Sequence, residues 1–173
     1  MYITKRPEIA LIAEQAGVDW IFVDMEFIGK DSRQAGLDTV QNHHTVEDVG
    51  LALGEALNQA LGDRKGIERY GFSLMPMDET LSRVALDLGG RPYLVLEMAC
   101  RKKKILDFEL SLLHEFLRGF VTQARMNLHI RQFYGADAHH AWESVFKGLA
   151  RALKMACKID PRVDGVPSSK GVL

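Results

Sequence analysis

Two short stretches of this 173-residue chain carry the same set of chemically competent side chains. His43, His44 and Glu47 form a His-His-x-x-Glu triplet, and at an offset of 96 positions His139, His140 and Glu143 form it again. Four of the six histidines lie in these two pairs, so most of the chain's imidazole is committed to one motif. Adjacent residues on a helix point about 100° apart, which leaves the two imidazoles of a pair poorly placed to grip one ion. The glutamate follows the first His by four residues and the second by three, one turn along the same side. One His and the Glu can therefore share an ion while the other His reaches a second. Imidazole with carboxylate and no thiolate suits manganese, iron or zinc, and several open positions lean away from structural zinc. A single His-His pair would be read as a capping or buried-polar feature. The duplication turns the reading to a divalent metal.

The elements that must hold these triplets follow from periodicity. Val49, Leu53, Ala56, Leu57 and Ala60 recur as identical residues at 145, 149, 152, 153 and 156, so each triplet heads an apolar helical stripe. The first helix is expected over 42–61, closed by Gly62, and the second-half counterpart over 137–158. A further amphipathic helix is expected over 107–124. Strands are expected near 71–77, 81–88 and 92–99, the last two joined at Gly89-Gly90 as a hairpin, and NLHIRQF alternates like another strand. Before the first triplet, Pro7 and EIALIAEQA read as a short helix stopped at Gly17, VDWIFVDMEF as a strand and GKDSRQAG as a loop. The tail from Asp160 is broken by Gly and Pro and ends in VPSSKGVL.

Composition sets the outer bounds. Hydrophobic residues at 47% and charged residues at 26% suit a globular chain of one domain or two small repeats sharing a core. A net charge of −1 gives no general pull toward nucleic acid or an anionic membrane, so an anionic ligand must be held by local cations. No apolar run approaches the roughly 18 residues of a membrane span, and MYITKRPEIA lacks a secretory signal's apolar core. Cys100 and Cys157 have no paired spacing and read as reduced thiols. A cytoplasmic location is the default expectation. His129, in a strand, reads as a packed core histidine and His114 as an exposed helix residue.

HHTVEDVGLALGEAL, DRKGIERYG, PMDE, LDLGGRPYL, NLHIRQFYG, AHHAWESVFKGLARAL and VPSSKGVL, in that order and spacing, resemble imidazoleglycerol-phosphate dehydratase over residues 43–173. The resemblance implies an α+β fold of two pseudo-repeated units, each a mixed sheet with helices on one face, the helices packed between the two sheets. It implies one domain, with an atypical first half over about 1–66 and a second half over 67–173. It also implies manganese, two ions per active site, with His43, His44, Glu47, His139, His140 and Glu143 as ligands and Glu115 at a further ligand position. Arg69, Arg91, Lys147, Ser168 and Lys170 match positions that hold the substrate phosphate. Guanidinium can take phosphate oxygens in parallel hydrogen bonds and ammonium supplies a point charge; taken singly, each of these cations would be a solvated surface charge. The implied reaction is dehydration of imidazole glycerol phosphate to imidazole acetol phosphate in histidine biosynthesis, with Glu47 or Glu143 as ligand and proton carrier. The implied assembly is a homo-oligomer, a 24-subunit cage of trimers with metals between subunits.

The first residues depart from that pattern. The family's extra N-terminal strands, with a glutamate near the substrate, and the Asp-His at the head of the first helix have no counterpart here. Residues 1–48 instead resemble the N-terminal segment of an HpcH/HpaI-type aldolase, GVDWIFVDMEFIGKDSRQAGLDTV being the telling stretch, which raises a hybrid chain. That segment lacks the later aldolase positions, so no aldolase activity follows from it. A catalytically impaired hybrid that keeps a metal-assembled fold is the alternative reading. If Gly17 takes the place of the family's helix-ending glycine, Glu8 falls at the first-half metal histidine; surface glutamate is the preferred reading of Glu8, ligand the other.

Overall fold

A computed structural model of the chain describes residues 45–168 together with residues 2–3 and 21–22. His43, His44, Lys170 and Glu8, and the helix and loop expected ahead of the first triplet, lie outside the described residues. Strands β1 (Tyr2–Ile3) and β2 (Ile21–Phe22) pair in parallel, and β2 falls within the expected VDWIFVDMEF strand.

Helix α1 spans Val46–Leu61. It starts four residues later than periodicity alone suggested, and the reason is local. Thr45 accepts from the Asp48 N–H at 3.2 Å while the Asp48 carboxylate accepts from the Thr45 N–H at 2.8 Å, a capping box that fixes the first turn. Gly62 ends the helix at φ 52°, as expected for a residue tolerant of positive φ. Six strands and two helices follow in the order β3 (Tyr70–Met77), β4 (Thr80–Asp87), β5 (Tyr93–Glu97), β6 (Lys104–Ile105), β7 (Phe108–Glu109), α2 (Ser111–Ala124), β8 (Asn127–Tyr134) and α3 (Ala138–Ala156).

The main sheet runs β3-β4-β8-β5, with β3/β4 and β4/β8 antiparallel and β5/β8 parallel. The expected hairpin at Gly89-Gly90 is therefore corrected: β4 and β5 are not partners, because β8 lies between them. The tight hairpin is β3–β4, turning at Asp78-Glu79. Gly90, at φ 80°, does reverse the chain, but a turn signal does not say which strand pairs next. Topology decides that. β5, α2 and β8 form a strand–helix–strand crossover, which joins parallel neighbours, and Leu128 and Ile130 of β8 are fully buried in the centre of the sheet.

One face of the sheet is covered by α3, which packs on β3 and β4, and α2 packs against α1. Val84, Leu86, Leu117, Phe120, Leu128, Ile130, Val145 and Leu149 form the centre of the core. Hydroxyls lock α3 in place: Ser73 Oγ donates to the Gly148 carbonyl at 2.9 Å, and Ser82 Oγ meets Ser144 Oγ at 2.6 Å, both buried. Buried Arg64 donates to the carbonyls of Leu88, Ala124 and Arg125 and to Asn58 Oδ1, tying the end of α1 to the end of α2. The α+β reading stands as a mixed sheet with three helices among the described residues. None of these helices is long and apolar enough to cross a membrane.

His129 corrects its expectation: it is exposed on the face of the sheet away from α3, tilted against Tyr93 at 6.1 Å between ring centroids. Its neighbours Leu128 and Ile130 take the inner side, and strand alternation sends the residue between them outward. His114 is exposed, and Cys100 and Cys157 are half-buried free thiols, as read from the sequence.

Candidate active site

The head of α3 carries the second triplet. Asp137 is the N-cap, and its Oδ1 accepts the N–H groups of His139 at 2.8 Å and His140 at 3.1 Å. These donations hold the Asp137 carboxyl below its ordinary range. The two histidines, so fixed in the first turn, face different partners with ring centroids 6.0 Å apart. His139 Nε2 lies 3.3 Å from Glu143 Oε2, and Glu143 Oε1 lies 2.7 Å from Lys147 Nζ. A row His139–Glu143–Lys147 thus runs down one side of the helix at four-residue steps. The Lys147 ammonium, ahead of His139 and His140, depresses the Glu143 pKa and keeps its carboxylate charged.

His140 turns toward the β3–β4 hairpin. Its Nδ1 sits 2.8 Å from Glu79 Oε2 and its Nε2 3.5 Å from Asp78 Oδ2. Glu79 Oε1 also accepts the Asp137 N–H at 3.1 Å, so the hairpin tip is fastened to the helix head twice over. The His140 hydrogen bond, with the Asp137 N–H next, lowers the Glu79 pKa to about 2, and Glu79 in turn raises that of His140. The tip is aimed by packing beneath it. Thr80 is buried against Gly135, at φ 118°, where an added Cβ would fall 1.9 Å from Thr80 Oγ1. A register shift between Leu81 and Ser82 opposite β8 re-aims the end of β4, as bulges beside functional sites do.

The donor types at the head of α3 fit a divalent ion in chemistry, imidazole with carboxylate. A gap of 3.3 Å between His139 Nε2 and Glu143 Oε2 sets an imidazole nitrogen beside a carboxylate oxygen, a donor pair that suits a divalent cation. The described residues of one chain do not, however, gather three or more His, Cys, Asp or Glu into a single metal cluster. Glu47 and Glu115 stand elsewhere, across the α1–α2 pair, where Arg118 meets Glu47 Oε1 at 2.9 Å and also pairs with Glu115.

Of the expected phosphate residues, Lys147 belongs to the α3 row. Arg69 gives its Nε and one Nη to the two oxygens of Asp87, at 2.7 and 3.1 Å, and another Nη–H to the Pro167 carbonyl at 2.8 Å. That last bond draws the tail, with Ser168 next along, to the sheet beside Arg69. Arg91 is exposed in the turn before β5. The partners missed in the sequence are Asp78, Glu79, Asp87 and Arg118. PMDE was legible as an acidic pair between two strand-like runs; placing the hairpin at Gly89-Gly90 hid it.

Comparison with known proteins decides the family. Residues 23–153 match the sequence profile of imidazoleglycerol-phosphate dehydratase. The chain belongs to that family. It is 52% identical over 134 residues to the imidazoleglycerol-phosphate dehydratase of Bacillus pumilus, covering 78% of this chain and 69% of the relative. It is 55% identical over 135 residues to that of Methylorubrum extorquens, again covering 78% and 69%. Among solved structures, the Staphylococcus aureus enzyme superposes with a TM-score of 0.66 at 40% identity, over 70% of this chain and 72% of that one. The Pyrococcus furiosus enzyme in complex with (S)-C348 gives 0.68 at 41%, over 78% and 74%. The family is one of carbon–oxygen lyases. Its match starts at residue 23, 20 residues ahead of His43.

Proposed function

We propose that this chain dehydrates imidazole glycerol phosphate to imidazole acetol phosphate in histidine biosynthesis, with manganese. The observation that carries the reading is the row His139–Glu143–Lys147 on one side of α3 with His140 turned to another, in a chain of this family. The net change is loss of one water: a hydroxyl leaves the carbon beside the imidazole, a proton leaves the next carbon, and the enol passes to the ketone. His139, His140 and Glu143, with His43, His44, Glu47 and Glu115, would hold two manganese ions. When bound, these supply positive charge beside the imidazole and its neighbouring hydroxyl, where imidazolate character develops. Glu143, kept charged by Lys147, is a base at neutral pH; it and Glu47 are the two candidates for carrying the proton. Lys147, Arg69, Arg91, Ser168 and Lys170 take the phosphate. Asp87 and Pro167 occupy three of the five Arg69 N–H groups, which leaves two for a phosphate oxygen among the described residues.

The separation of Glu47 and Glu115 on α1–α2 from the α3 triplet supports ligands shared between copies, in a homo-oligomer of up to 24 subunits with metals at its interfaces. The proposed organisation is one domain of two half-repeats, about 1–66 and 67–173, in the cytoplasm. Manganese-dependent turnover of imidazole glycerol phosphate, lost on chelation and restored by manganese, is the expected result; no product from fully loaded protein sinks it. Sizing by light scattering with and without chelator tests the shared metals. The departure of the first residues from the family pattern favours one rival, a metal-assembled hybrid with impaired catalysis, which would assemble with manganese yet give no product.

A further inference from the structure

We infer that Glu79 is a positioning residue for metal binding: by taking the Nδ1–H of His140 it leaves Nε2 as the nitrogen offered to a divalent cation. The inference deepens the reading of His140 as a metal ligand and rests on it. A ligating imidazole uses one ring nitrogen, and the hydrogen bond at the other selects the tautomer and fixes the ring plane. Here the partner at Nδ1 is a carboxylate oxygen at 2.8 Å, within the range of a charge-assisted bond. Nothing about that contact is local in sequence: Glu79 reaches His140 across 61 residues, from a different element. Its second oxygen is committed as well, to the Asp137 N–H at 3.1 Å and Thr80 Oγ1 at 3.2 Å, so the carboxylate cannot swing without releasing the helix N-cap. The side chain is held at both ends and presents one oxygen to one imidazole.

The opposite nitrogen has a matching environment. His140 Nε2 looks toward Asp78 Oδ2 at 3.5 Å, longer than a good hydrogen bond, so it is not satisfied there. Asp78 stands at φ 47° as the first residue of the two-residue turn, which splays the neighbouring side chains Asp78 and Glu79 onto the two nitrogens of one ring. Among the described residues His139 has no such clamp; its ring meets Glu143 on its own helix. The two adjacent histidines are thus positioned by different means, one by the helix and one by the hairpin.

The test is manganese titration of chelator-stripped full-length protein, following free Mn(II) by electron paramagnetic resonance, for the parent and Glu79→Gln, Glu79→Leu and His140→Gln. The leucine variant is expected to weaken manganese binding about 10- to 100-fold, the range for loss of a carboxylate behind a metal-bound histidine, with the glutamine variant between it and the parent. Nitrogen NMR of the His140 ring in metal-free protein, above its titration, should show the Nδ1–H tautomer in the parent and a shift toward Nε2–H in the leucine variant. Glutamine keeps the shape and an acceptor for the Asp137 N–H, so a drop in affinity at unchanged melting temperature separates the clamp from fraying of the helix head. Parent-like affinity and tautomer in both Glu79 variants, whatever their melting temperatures, would overturn the inference. If His140→Gln also binds manganese like the parent, His140 is not a ligand and the functional reading fails with it.

Discussion

Gly50 and Gly54 are where α1 meets α2, and replacing either with alanine puts the packing to a test whose sign is informative. A Cβ on Gly50 would lie 2.2 Å from the Phe116 carbonyl oxygen, and one on Gly54 2.4 Å from that of Phe120. Ordinary carbon–oxygen contact begins near 3.3 Å, so the helices must part by roughly 1 Å, and the obstacle is backbone that cannot rotate away. Overpacking of this kind typically costs about 1–3 kcal/mol, and the extreme overlap points to the upper end. Against that, Gly→Ala in a helix interior gains about 1 kcal/mol. The net expectation for Gly50→Ala is a loss of about 1–2 kcal/mol, read as a lower urea midpoint at unchanged slope in metal-free protein. The effect should reach the ligands too, since Arg118 spans the same seam between Glu47 and Glu115. A variant as stable as the parent, or more so, would mean the two helices are not in contact at these glycines, and the account of α1 would have to be abandoned.

Other expectations follow from the same geometry. Ser82→Ala should cost about 1 kcal/mol by removing one buried hydrogen bond from Ser144 Oγ, which still donates to the Ala141 carbonyl at 2.7 Å, and the Ser82→Ala/Ser144→Ala pair should cost less than the sum of the singles in a double-mutant cycle. Asp87→Asn should cost about 1–3 kcal/mol and loosen the tail, so that trypsin cuts after Arg162 faster than in the parent; equal rates would separate the ion pair from the tail. The metal-free helix head should have a pH window. Glu79, depressed to about 2, contributes stability that is present above its ordinary pKa and lost as pH falls toward that value; His140, raised, contributes stability present below its ordinary pKa and lost as pH climbs through the folded one. Thermal unfolding against pH should show both flanks in the parent and neither of these contributions in Glu79→Leu. Manganese should run the other way at His140, binding more tightly as pH rises, because the ion displaces a proton.

What the sequence disclosed and what it withheld divide by range. The four-residue steps His139–Glu143–Lys147 are written in one helix, and the structure keeps them in one row. The 100° turn between His139 and His140 is equally a property of one helix, and the rings do face different partners. Thr45 and Asp48 form the capping box that starts α1, whereas the apolar period alone carries the helix back to residue 42, since a periodic stripe says nothing of where the first turn is nucleated. Leu53, a member of that stripe, is 51% exposed, because α1 approaches α2 through Gly50 and Gly54. Residues without side chains leave no mark on a hydrophobic period. Strand order was withheld for a stronger reason: Gly89-Gly90 reverses the chain, but β8 enters from 127–134 after a helix, and no local signal reports that insertion.

The same insertion is what makes the α3 head a site. With β8 between β4 and β5, β4 is flanked on both sides, and its register is fixed over Ser82–Asp87 by β8 and over Thr80–Asp87 by β3. The hairpin tip at Asp78-Glu79 therefore projects from a strand that cannot slide, and Thr80, Ser82 and Val84 on its inner side are buried against α3 and its approach. A one-residue slip of β4 would send those three to solvent and swing Glu79 away from His140. Motion of the tip relative to the helix is thus coupled to the core, not to a loop. That is why an exposed carboxylate on a two-residue turn can orient a side chain 61 positions away: the geometry at His140 is set by buried hydroxyls and valine, and the acidic pair only delivers it.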